Sequence, residues 1–366
     1  MNRQPIYLDY NATAKLYPEV RETVLRLLDT PHNASSVHTF GRTGRKEIEK
    51  ARERVAALAC MPAGQVIFNS GATEGNNTVL SHFKGQRVLI SAVEHSSVLQ
   101  AAPQAERVPV TPDGLLDLTA LEALLRQETR PALLSVMLVN NEMGVIQPVR
   151  EAAALAKKYG ALVHCDAVQA AGRIKLDMQE LGADFLTLSA HKIGGPQGAG
   201  ALVLGLCGNT PVLLHGGGQE KGARAGTENV AAIAGFGTAA EQALSGLEHF
   251  AALGKLRDKV EQALGSMGEI TIYGASAPRV ANTSLFSLPG RPSETMQMAL
   301  DLEGIAVSAG AACSSGSARP STVLSAMGVP EKEARTALRV SLGWATSQEE
   351  IERFLEIFEK IYKRMG

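Results

Sequence analysis

The feature that most constrains the fold is a series of short apolar runs between residues 66 and 204, separated by segments of helical periodicity. Each run has the length of one strand and is apolar almost throughout, as expected of strands covered on both faces. Segment 149–159, which is followed by Gly160, has the spacing of an amphipathic helix. The alternation predicts an α/β unit with a mostly parallel sheet. The predicted strands are 66–68, 88–90, 133–139, 162–165, 185–188 and 201–204.

The character of the sequence changes along the chain. Residues 229–264 are alanine-rich and charged, which is typical of helices. Residues 270–366 have the pattern of mixed short strands and helices. The 366 residues are enough for more than one core. We therefore expect an N-terminal arm (1–15) that packs on the small domain, a large domain (16–250) and a small α+β domain (251–366).

Composition argues against several classes of function. A formal net charge of -1 does not favour a nucleic-acid binder. There is no apolar run of about 18 residues, the length of a transmembrane helix, and no secretory signal is recognisable at the N-terminus. The cysteines are scattered without paired or zinc-like spacing, which suits a reducing compartment, so we expect a cytoplasmic protein without a metal. They are Cys60, Cys165, Cys207 and Cys313.

A lysine and an aspartate each follow a predicted strand. Lys192 stands shortly after the run 185–188, before a glycine-rich segment, and Asp166 follows the run 162–165. Most lysines are solvated, because burial without a partner disfavours the charged form. A lysine that binds an aldehyde covalently, together with an acid for a pyridinium nitrogen, is the pattern that pyridoxal phosphate (PLP) requires. The pair therefore points to a PLP site.

Other candidates also follow predicted strands. Residues 70–74 open a helical segment, where small residues and a helix N-terminus suit a phosphate; an ordinary N-cap is an equally open interpretation. Ser189 and His191 could add donors to the same phosphate. His95 stands where α/β folds bind ligands and could stack on a pyridine ring, although a capping or surface histidine is the alternative.

Polar residues in two further regions are candidates for cofactor or substrate contacts. Asn141 could bind a carboxylate or a ring oxygen, or could simply form a turn. Gln169 lies three residues after Asp166 and could reach a ring hydroxyl. The glycine-rich stretches 216–220 and 224–229 are either a flexible loop or a closure over the cofactor site.

A cysteine and an arginine complete the set. Small residues surround Cys313 from position 306 to 317 and offer little apolar material to bury it, so a loop that presents a thiol is favoured over a structural cysteine. Arg339 stands in an apolar segment. It suggests a bidentate carboxylate partner, with a protein salt bridge as the alternative.

Together these motifs resemble the cysteine desulfurases, PLP enzymes of the class V aminotransferase group with fold type I. The resemblance extends from residue 7 to residue 343. It implies a large domain with a seven-stranded, mostly parallel sheet and helices on both faces, and a smaller C-terminal α+β domain that carries the cysteine loop. Segment 308–317 resembles the long-loop subgroup of that family.

The resemblance also implies a role for each site residue. Lys192 would bind PLP covalently and move protons, Asp166 would keep the pyridine nitrogen protonated, and His95 would stack on the ring. Cys313 would take the sulfur of L-cysteine as a persulfide and leave L-alanine. The remaining contacts would be Ala72, Thr73, Ser189, His191 and, from the partner subunit, Thr227 on the phosphate, Gln169 on the ring oxygen, and Asn141 and Arg339 on the substrate carboxylate.

The family further implies a homodimer and an acceptor protein, which receives the sulfur for iron–sulfur clusters, thio-cofactors or tRNA. One alternative is another class V PLP enzyme, an aminotransferase or a selenocysteine lyase. Such an enzyme needs Lys192 and Asp166 but not a thiol among small residues, so Cys313 separates the two interpretations. A non-catalytic sulfur-relay protein is a further alternative, which the intact set of site residues disfavours.

Overall fold

Apolar runs and amphipathic segments form the strands and helices of a layered α/β protein. The computed structural model describes residues 4–127, 131–206, 210–310 and 321–365. The strands are β1 (Ile6–Tyr7), β2 (Val66–Asn69), β3 (Val88–Ser91), β4 (Glu106–Val108), β5 (Leu133–Ser135), β6 (Leu162–Asp166), β7 (Phe185–Ser189), β8 (Gly200–Leu204), β9 (Thr271–Ile272), β10 (Thr283–Ser287), β11 (Ile305–Ala306), β12 (Ser308–Ala309) and β13 (Ala337–Ser341). The α-helices are α1 (Pro18–Leu28), α2 (Thr39–Leu58), α3 (Ala72–His82), α4 (Ser96–Leu99), α5 (Leu118–Leu125), α6 (Val149–Lys158), α7 (Met178–Leu181), α8 (Val230–Ser245), α9 (Leu247–Ala252), α10 (Gly254–Gly265), α11 (Ser293–Leu302), α12 (Thr322–Ala326), α13 (Glu331–Ala334) and α14 (Gln348–Arg364).

A seven-stranded sheet forms the centre of the larger part of the molecule. Its order is β2-β8-β7-β6-β5-β3-β4, and β8 runs antiparallel to both of its neighbours while the other pairs are parallel. The predicted fold class, a mostly parallel sheet in an α/β protein, is confirmed.

Successive residues of the central strands pack on opposite faces of this sheet, because side chains alternate along a strand. Leu133, Phe185 and Leu202 belong to a core shared with α3 and α4. Their neighbours Leu134 and Leu186, followed by Val203 in β8, belong to a larger core shared with α2, α6 and α8. Both faces are therefore covered, which explains why the runs are apolar without alternation.

Two details differ from the sequence-based expectation. Strand β5 ends at Ser135, although the apolar run continues to Val139 and stays buried. The backbone nevertheless continues to pair with β6, because the amides of Val136 and Leu138 donate to the carbonyls of His164 and Asp166 at 3.0 and 2.9 Å. Strand β4 was not predicted, because it lies at the sheet edge and two of its residues, Glu106 and Arg107, are polar.

The C-terminal part of the chain has its own sheet and core. Strands β12, β13, β10 and β9 form an antiparallel sheet, and α10, α11 and α14 contribute to the core beside it. The N-terminal segment joins this core through Ile6 and Leu8, and β1 pairs in parallel with β11. The division of the chain at residues 15 and 250 stays a prediction.

Helix α14 closes the chain with a strong N-terminal signal. The Ser347 side chain accepts a hydrogen bond from the Glu350 amide, and the Glu350 carboxylate accepts one from the Ser347 amide. Across the described ranges of the chain, none of the helices combines the length and the apolar character that crossing a membrane requires.

Candidate active site

The carboxyl ends of five strands converge on one cleft. Strands β2, β3, β5, β6 and β7 run in the same direction, so the segments that follow them meet at one edge of the sheet. The cleft there has a volume of about 610 Å³. The predicted site residues that line it are Ala72, Thr73, His95, Asn141, Asp166, Gln169, Ser189, His191, Lys192 and Arg339.

The lysine and the aspartate come from neighbouring parallel strands. Asp166 ends β6 and lies opposite Thr187 of β7, and Lys192 follows β7 by one short turn. The Lys192 amine donates to the carbonyl oxygens of Asn11 and Ala12, at 2.6 and 2.7 Å. The N-terminal arm therefore holds the end of the lysine side chain in the cleft.

A helix N-terminus supplies the anion-binding part of the cleft. Helix α3 begins at Ala72, and its N-cap, Gly71, has a φ of 149°, which favours glycine. No side chain caps this helix, because Ser70 hydrogen-bonds with Glu74 instead. The first amides of α3 thus remain available, and a helix N-terminus favours a phosphate.

Two histidines in the cleft are neutral at pH 7. Burial lowers the pKa of His95, and Lys192 adds to this while Asp166 opposes it. Burial, with a smaller contribution from Lys192, lowers the pKa of His191 to about 4. His95 also caps the short helix α4, because its Nδ1 atom accepts from the Ser97 amide at 3.1 Å. His95 therefore caps α4 and also lines the cleft, as both of the sequence-based interpretations predicted.

Arg339 lies in β13 beside Asn141 and has donors to spare. Its Nη1 donates to the Asn141 carbonyl at 2.9 Å, and its Nη2 donates to Asp9 at 2.7 Å and to Ser308 at 3.1 Å. The side chain is 3% exposed. Its Nε atom is buried and has no hydrogen-bond partner among the described residues. The ion pair with Asp9 thus leaves one buried donor for a carboxylate.

Gln169 has an unused acceptor. Its Nε2 donates to the Asn11 carbonyl at 2.9 Å, but its buried Oε1 has no partner in the described parts of the chain. A ring hydroxyl in the cleft would supply the missing donor. The uncapped helix, the lysine, the aspartate and this acceptor together fit PLP, which carries a phosphate, an aldehyde, a pyridine nitrogen and a ring hydroxyl.

The glycine-rich loop lies at the mouth of the cleft. Arg224 of the loop forms an ion pair with Glu74 at 3.0 Å, and Glu74 lines the cleft. Burial alone would raise the pKa of Glu74, but hydrogen bonds from Arg224 and Ser70 lower it overall. Thr227, a predicted phosphate ligand, is exposed and does not line this cleft.

The predicted nucleophile, Cys313, lies outside the described residues. Two other cysteines can be placed, and neither lines the cleft. Cys60 is exposed, and Cys165 is buried in the sheet, where desolvation, then Asp166, raises the pKa of its thiol. A thiolate is therefore disfavoured at Cys165.

Three buried polar residues around the site were not among the predicted site residues. Asn11 links the arm to Gln169 and Lys192, and Asn76 of α3 hydrogen-bonds with Asp166. Glu94 accepts from the Met137 amide at 2.6 Å, and burial, followed by the nearby Asp166, raises its pKa well above the usual range. No local pattern in the sequence marks them, because their partners are distant along the chain.

Comparisons with known proteins agree with this arrangement. The family model described as aminotransferase class V matches residues 6–354. The chain is 38% identical to a cysteine desulfurase IscS of Dictyoglomus turgidum, over 99% of this chain and 96% of that protein. It is 39% identical to a cysteine desulfurase of Sinorhizobium fredii, over 99% and 97%. Among solved structures, a NifS-like protein of Rickettsia africae has a TM-score of 0.92 at 37% identity, over 98% of this chain and 100% of that one.

Proposed function

Because this chain belongs to the aminotransferase class V family, and within it to the cysteine desulfurases, we propose that it converts L-cysteine to L-alanine and holds the sulfur as a persulfide on Cys313. The observation that carries the proposal is the convergence of Lys192, Asp166 and Arg339 on one cleft. The relatives cover the chain over nearly its whole length, so the comparison includes every proposed site residue.

Different residues of the cleft would bind different groups of PLP. Lys192 would hold the aldehyde carbon, Asp166 would keep a proton on the ring nitrogen, and His95 would stack on the ring. The N-terminal turn of α3 at Ala72 and Thr73, with Ser189 and His191, would bind the phosphate. When bound, PLP supplies an electron-accepting ring that stabilises negative charge on the substrate carbon.

Substrate orientation would come from the opposite wall of the cleft. Arg339 and Asn141 would bind the carboxylate of L-cysteine, and the unpartnered Nε of Arg339 is a donor for it. A bidentate contact would require the substrate carboxylate to replace Asp9 on Nη2, beside the unpartnered Nε, and would fix the direction of the substrate. Lys192, whose amine lies in the same cleft, would then move the proton from the substrate Cα.

The sulfur transfer would be a displacement at the substrate sulfur. The Cys313 thiolate attacks that sulfur, an S–S bond forms, the carbon–sulfur bond breaks, and the carbon accepts a proton to give alanine. A thiol of ordinary pKa is only a few per cent ionised at pH 7, so a base must assist. The proposed base is the bound substrate, because Nδ1 of the neutral His95 ring already accepts from the Ser97 amide, and His95 contributes by stacking on the ring.

Three further features belong to the same proposal. Thr227 would reach the phosphate of a partner subunit, which makes the active unit a homodimer; its exposure outside its own cleft supports this. An acceptor protein would remove the persulfide sulfur for iron–sulfur clusters or other sulfur-containing products. The scattered cysteines favour a cytoplasmic location.

The test is an assay of the purified, PLP-loaded protein with L-cysteine and a reductant, in which alanine and sulfide are quantified together. We expect equal amounts of both, and loss of both in the Cys313→Ser variant, which should still bind PLP. The Cys60→Ser variant is the matched control and should retain both products, because Cys60 lies outside the cleft.

Other outcomes would overturn the proposal. Activity that survives Cys313→Ser would exclude the persulfide role. Turnover of a keto acid with another amino acid, or of selenocysteine alone, would indicate an aminotransferase or a selenocysteine lyase. A protein that binds no PLP would exclude both the reaction and its class.

A further inference from the structure

A buried asparagine stands behind the cleft, in the middle of a helix. Asn76 is the fifth residue of α3 and is 0% exposed. Asparagine is a poor residue for a helix interior, and burying its amide costs free energy unless hydrogen bonds compensate. An apolar residue would fill this buried position at a lower cost. The presence of an amide therefore indicates that its hydrogen bonds matter.

The helix can bring Asn76 close to the sheet because a glycine precedes it. A Cβ atom on Gly75 would lie 3.0 Å from the side chain of Thr187 in β7, tighter than an ordinary contact. Helix α3 therefore packs against the sheet at the level where β6 and β7 end. Asp166, ninety positions along the chain from Asn76, lies at that level.

Both hydrogens of the Asn76 amide are used, and each goes to a different part of the site. Nδ2 donates to Asp166 Oδ2 at 2.7 Å and to Ser97 Oγ at 2.9 Å. The other Asp166 oxygen accepts from the Val168 amide at 3.1 Å. One amide group thus holds the aspartate and contacts the serine beside His95.

The direction of each hydrogen bond follows from the donors. The Nδ1 atom of His95 accepts from the Ser97 amide, so the proton of the neutral ring is on Nε2. Ser97 Oγ lies 2.8 Å from the same Nδ1 and accepts from Asn76, so its hydroxyl proton is free to point at Nδ1. Asn76 thus donates to the Ser97 oxygen and leaves the hydroxyl proton for His95.

From this chain of contacts we propose that Asn76 is a positioning residue for the reaction, which sets the orientation of Asp166 and, through the Ser97 hydroxyl, supports the ring of His95. The inference rests on the proposed function, because it concerns the two groups that would contact the PLP ring. Asn76 itself does not line the cleft, so it acts through Asp166 and Ser97.

The unsatisfied amide oxygen of Asn76 argues against a purely structural role for this side chain. Asn76 Oδ1 is buried and has no hydrogen-bond partner among the described residues. Replacement by leucine, of similar size, would remove this unsatisfied oxygen together with the two donated bonds. Loss of the unsatisfied oxygen should therefore offset part of the cost of the two lost bonds, while the alignment of Asp166 should be lost.

The experiment compares Asn76→Leu with Thr78→Val. Thr78 is also a buried polar residue of α3, but its hydroxyl donates to the Glu74 carbonyl within the helix and not to the Asp166 network. For Asn76→Leu we expect kcat to fall by about tenfold or more, with KM for L-cysteine little changed, because a hydrogen bond to a carboxylate is lost. Thr78→Val should keep both constants.

Two readouts do not depend on turnover. The release of PLP from the Asn76→Leu variant should be faster, and the pH at which the colour of the bound cofactor changes should shift, since Lys192, His95 and Asp166 line the cleft and the buried Glu94 interacts with Asp166. In the cofactor-free protein, the ¹⁵N signal of His95 Nδ1 should shift in the variant, because Asn76 no longer orients the Ser97 hydroxyl toward that atom.

The outcomes separate this inference from the proposed function. If the wild type binds PLP and releases alanine and sulfide, but Asn76→Leu matches Thr78→Val in kcat, PLP release and the His95 signals, the positioning role is wrong. If Asn76→Leu loses thermal stability to the same degree as activity, the Asn76→Asp variant is measured as well. Its carboxylate fills the same space but cannot donate a hydrogen bond, so full activity in Asn76→Asp would also overturn the positioning role. Absence of PLP binding in the wild type would instead contradict the proposed function.

Discussion

Arg52 and Glu220 form a buried, bidentate ion pair that fixes the glycine-rich loop to helix α2. The two guanidinium nitrogens, Nη1 and Nη2, each lie 2.7 Å from a carboxylate oxygen, and the side chains are 6% and 2% exposed. The amide of Phe68 in β2 donates to the same carboxylate at 2.9 Å. Glu220 and Lys221 have φ values of 46° and 59°, an unfavourable region for residues with side chains. The ion pair therefore offsets backbone strain in the loop.

The first prediction concerns this pair. Glu220→Ala should lower the free energy of unfolding by about 1.5–3 kcal/mol, because it removes the charged hydrogen bonds of the buried carboxylate and leaves Arg52 only its ion pair with the exposed Glu49. Urea denaturation of the two proteins measures the difference. Arg52→Ala should have a similar effect, and the double variant should cost clearly less than the sum of the two. Strict additivity would show that the pair does not stabilise the loop.

The second prediction concerns the lysine. Lys192→Ala should abolish covalent attachment of PLP, so reduction with borohydride followed by mass analysis should show the added mass on the wild type alone. Lys175→Ala is the matched control, since Lys175 belongs to the same part of the chain and does not line the cleft. Attachment that persists in Lys192→Ala would place the reactive amine elsewhere.

The third prediction concerns substrate binding. Arg339→Lys should raise KM for L-cysteine by about tenfold or more, because a lysine provides one point charge and cannot bind a carboxylate in a bidentate manner. Steady-state kinetics of alanine formation checks this. Arg279→Lys is the control: the side chain of Arg279 is 7% exposed and pairs with Glu261, away from the cleft. A variant in which kcat falls and KM does not change would assign Arg339 to a later step.

The positions of Lys192 and Asp166 were predictable because the sequence marks strand ends, and parallel strands end at one edge of a sheet. The contacts of Asn76 and Glu220 were not predictable in this way. Asn76 meets Asp166 across 90 positions and Glu220 meets Arg52 across 168, and nothing in either local pattern indicates the partner. Such contacts depend on how the helices pack on the sheet, and local patterns in a single sequence do not specify that packing.

The last prediction concerns the pH dependence of stability, for which two buried groups act in opposite directions. Burial lowers the pKa of His164 in β6 to about 4, and its ring nitrogens contact Ser135 and Thr187. Burial raises the pKa of Glu142 to about 7, despite a hydrogen bond from Ser321 and the charge of Arg339. Neither group needs a ligand for this behaviour.

The sign follows from the protons that the unfolded chain binds. Between about pH 6.5 and pH 4 the unfolded chain protonates His164 and the folded protein does not, so the stabilising contribution of this residue is lost as the pH falls. Between about pH 4.5 and pH 7 the folded protein keeps the proton of Glu142 that the unfolded chain has released, so its contribution is lost as the pH rises. Each slope is at most about 1.4 kcal/mol per pH unit.

Urea unfolding of the wild type, His164→Gln and Glu142→Gln across about pH 4.5 to pH 7 measures both contributions, because the other titrating groups cancel in each difference. The free energy of unfolding of the wild type relative to His164→Gln should increase with pH, since the variant lacks the buried imidazole. Relative to Glu142→Gln it should decrease with pH, since the variant cannot release a proton there. Two differences with the same sign of slope would show that one of these side chains is ionised in the folded protein, and that its burial is not what sets its pKa.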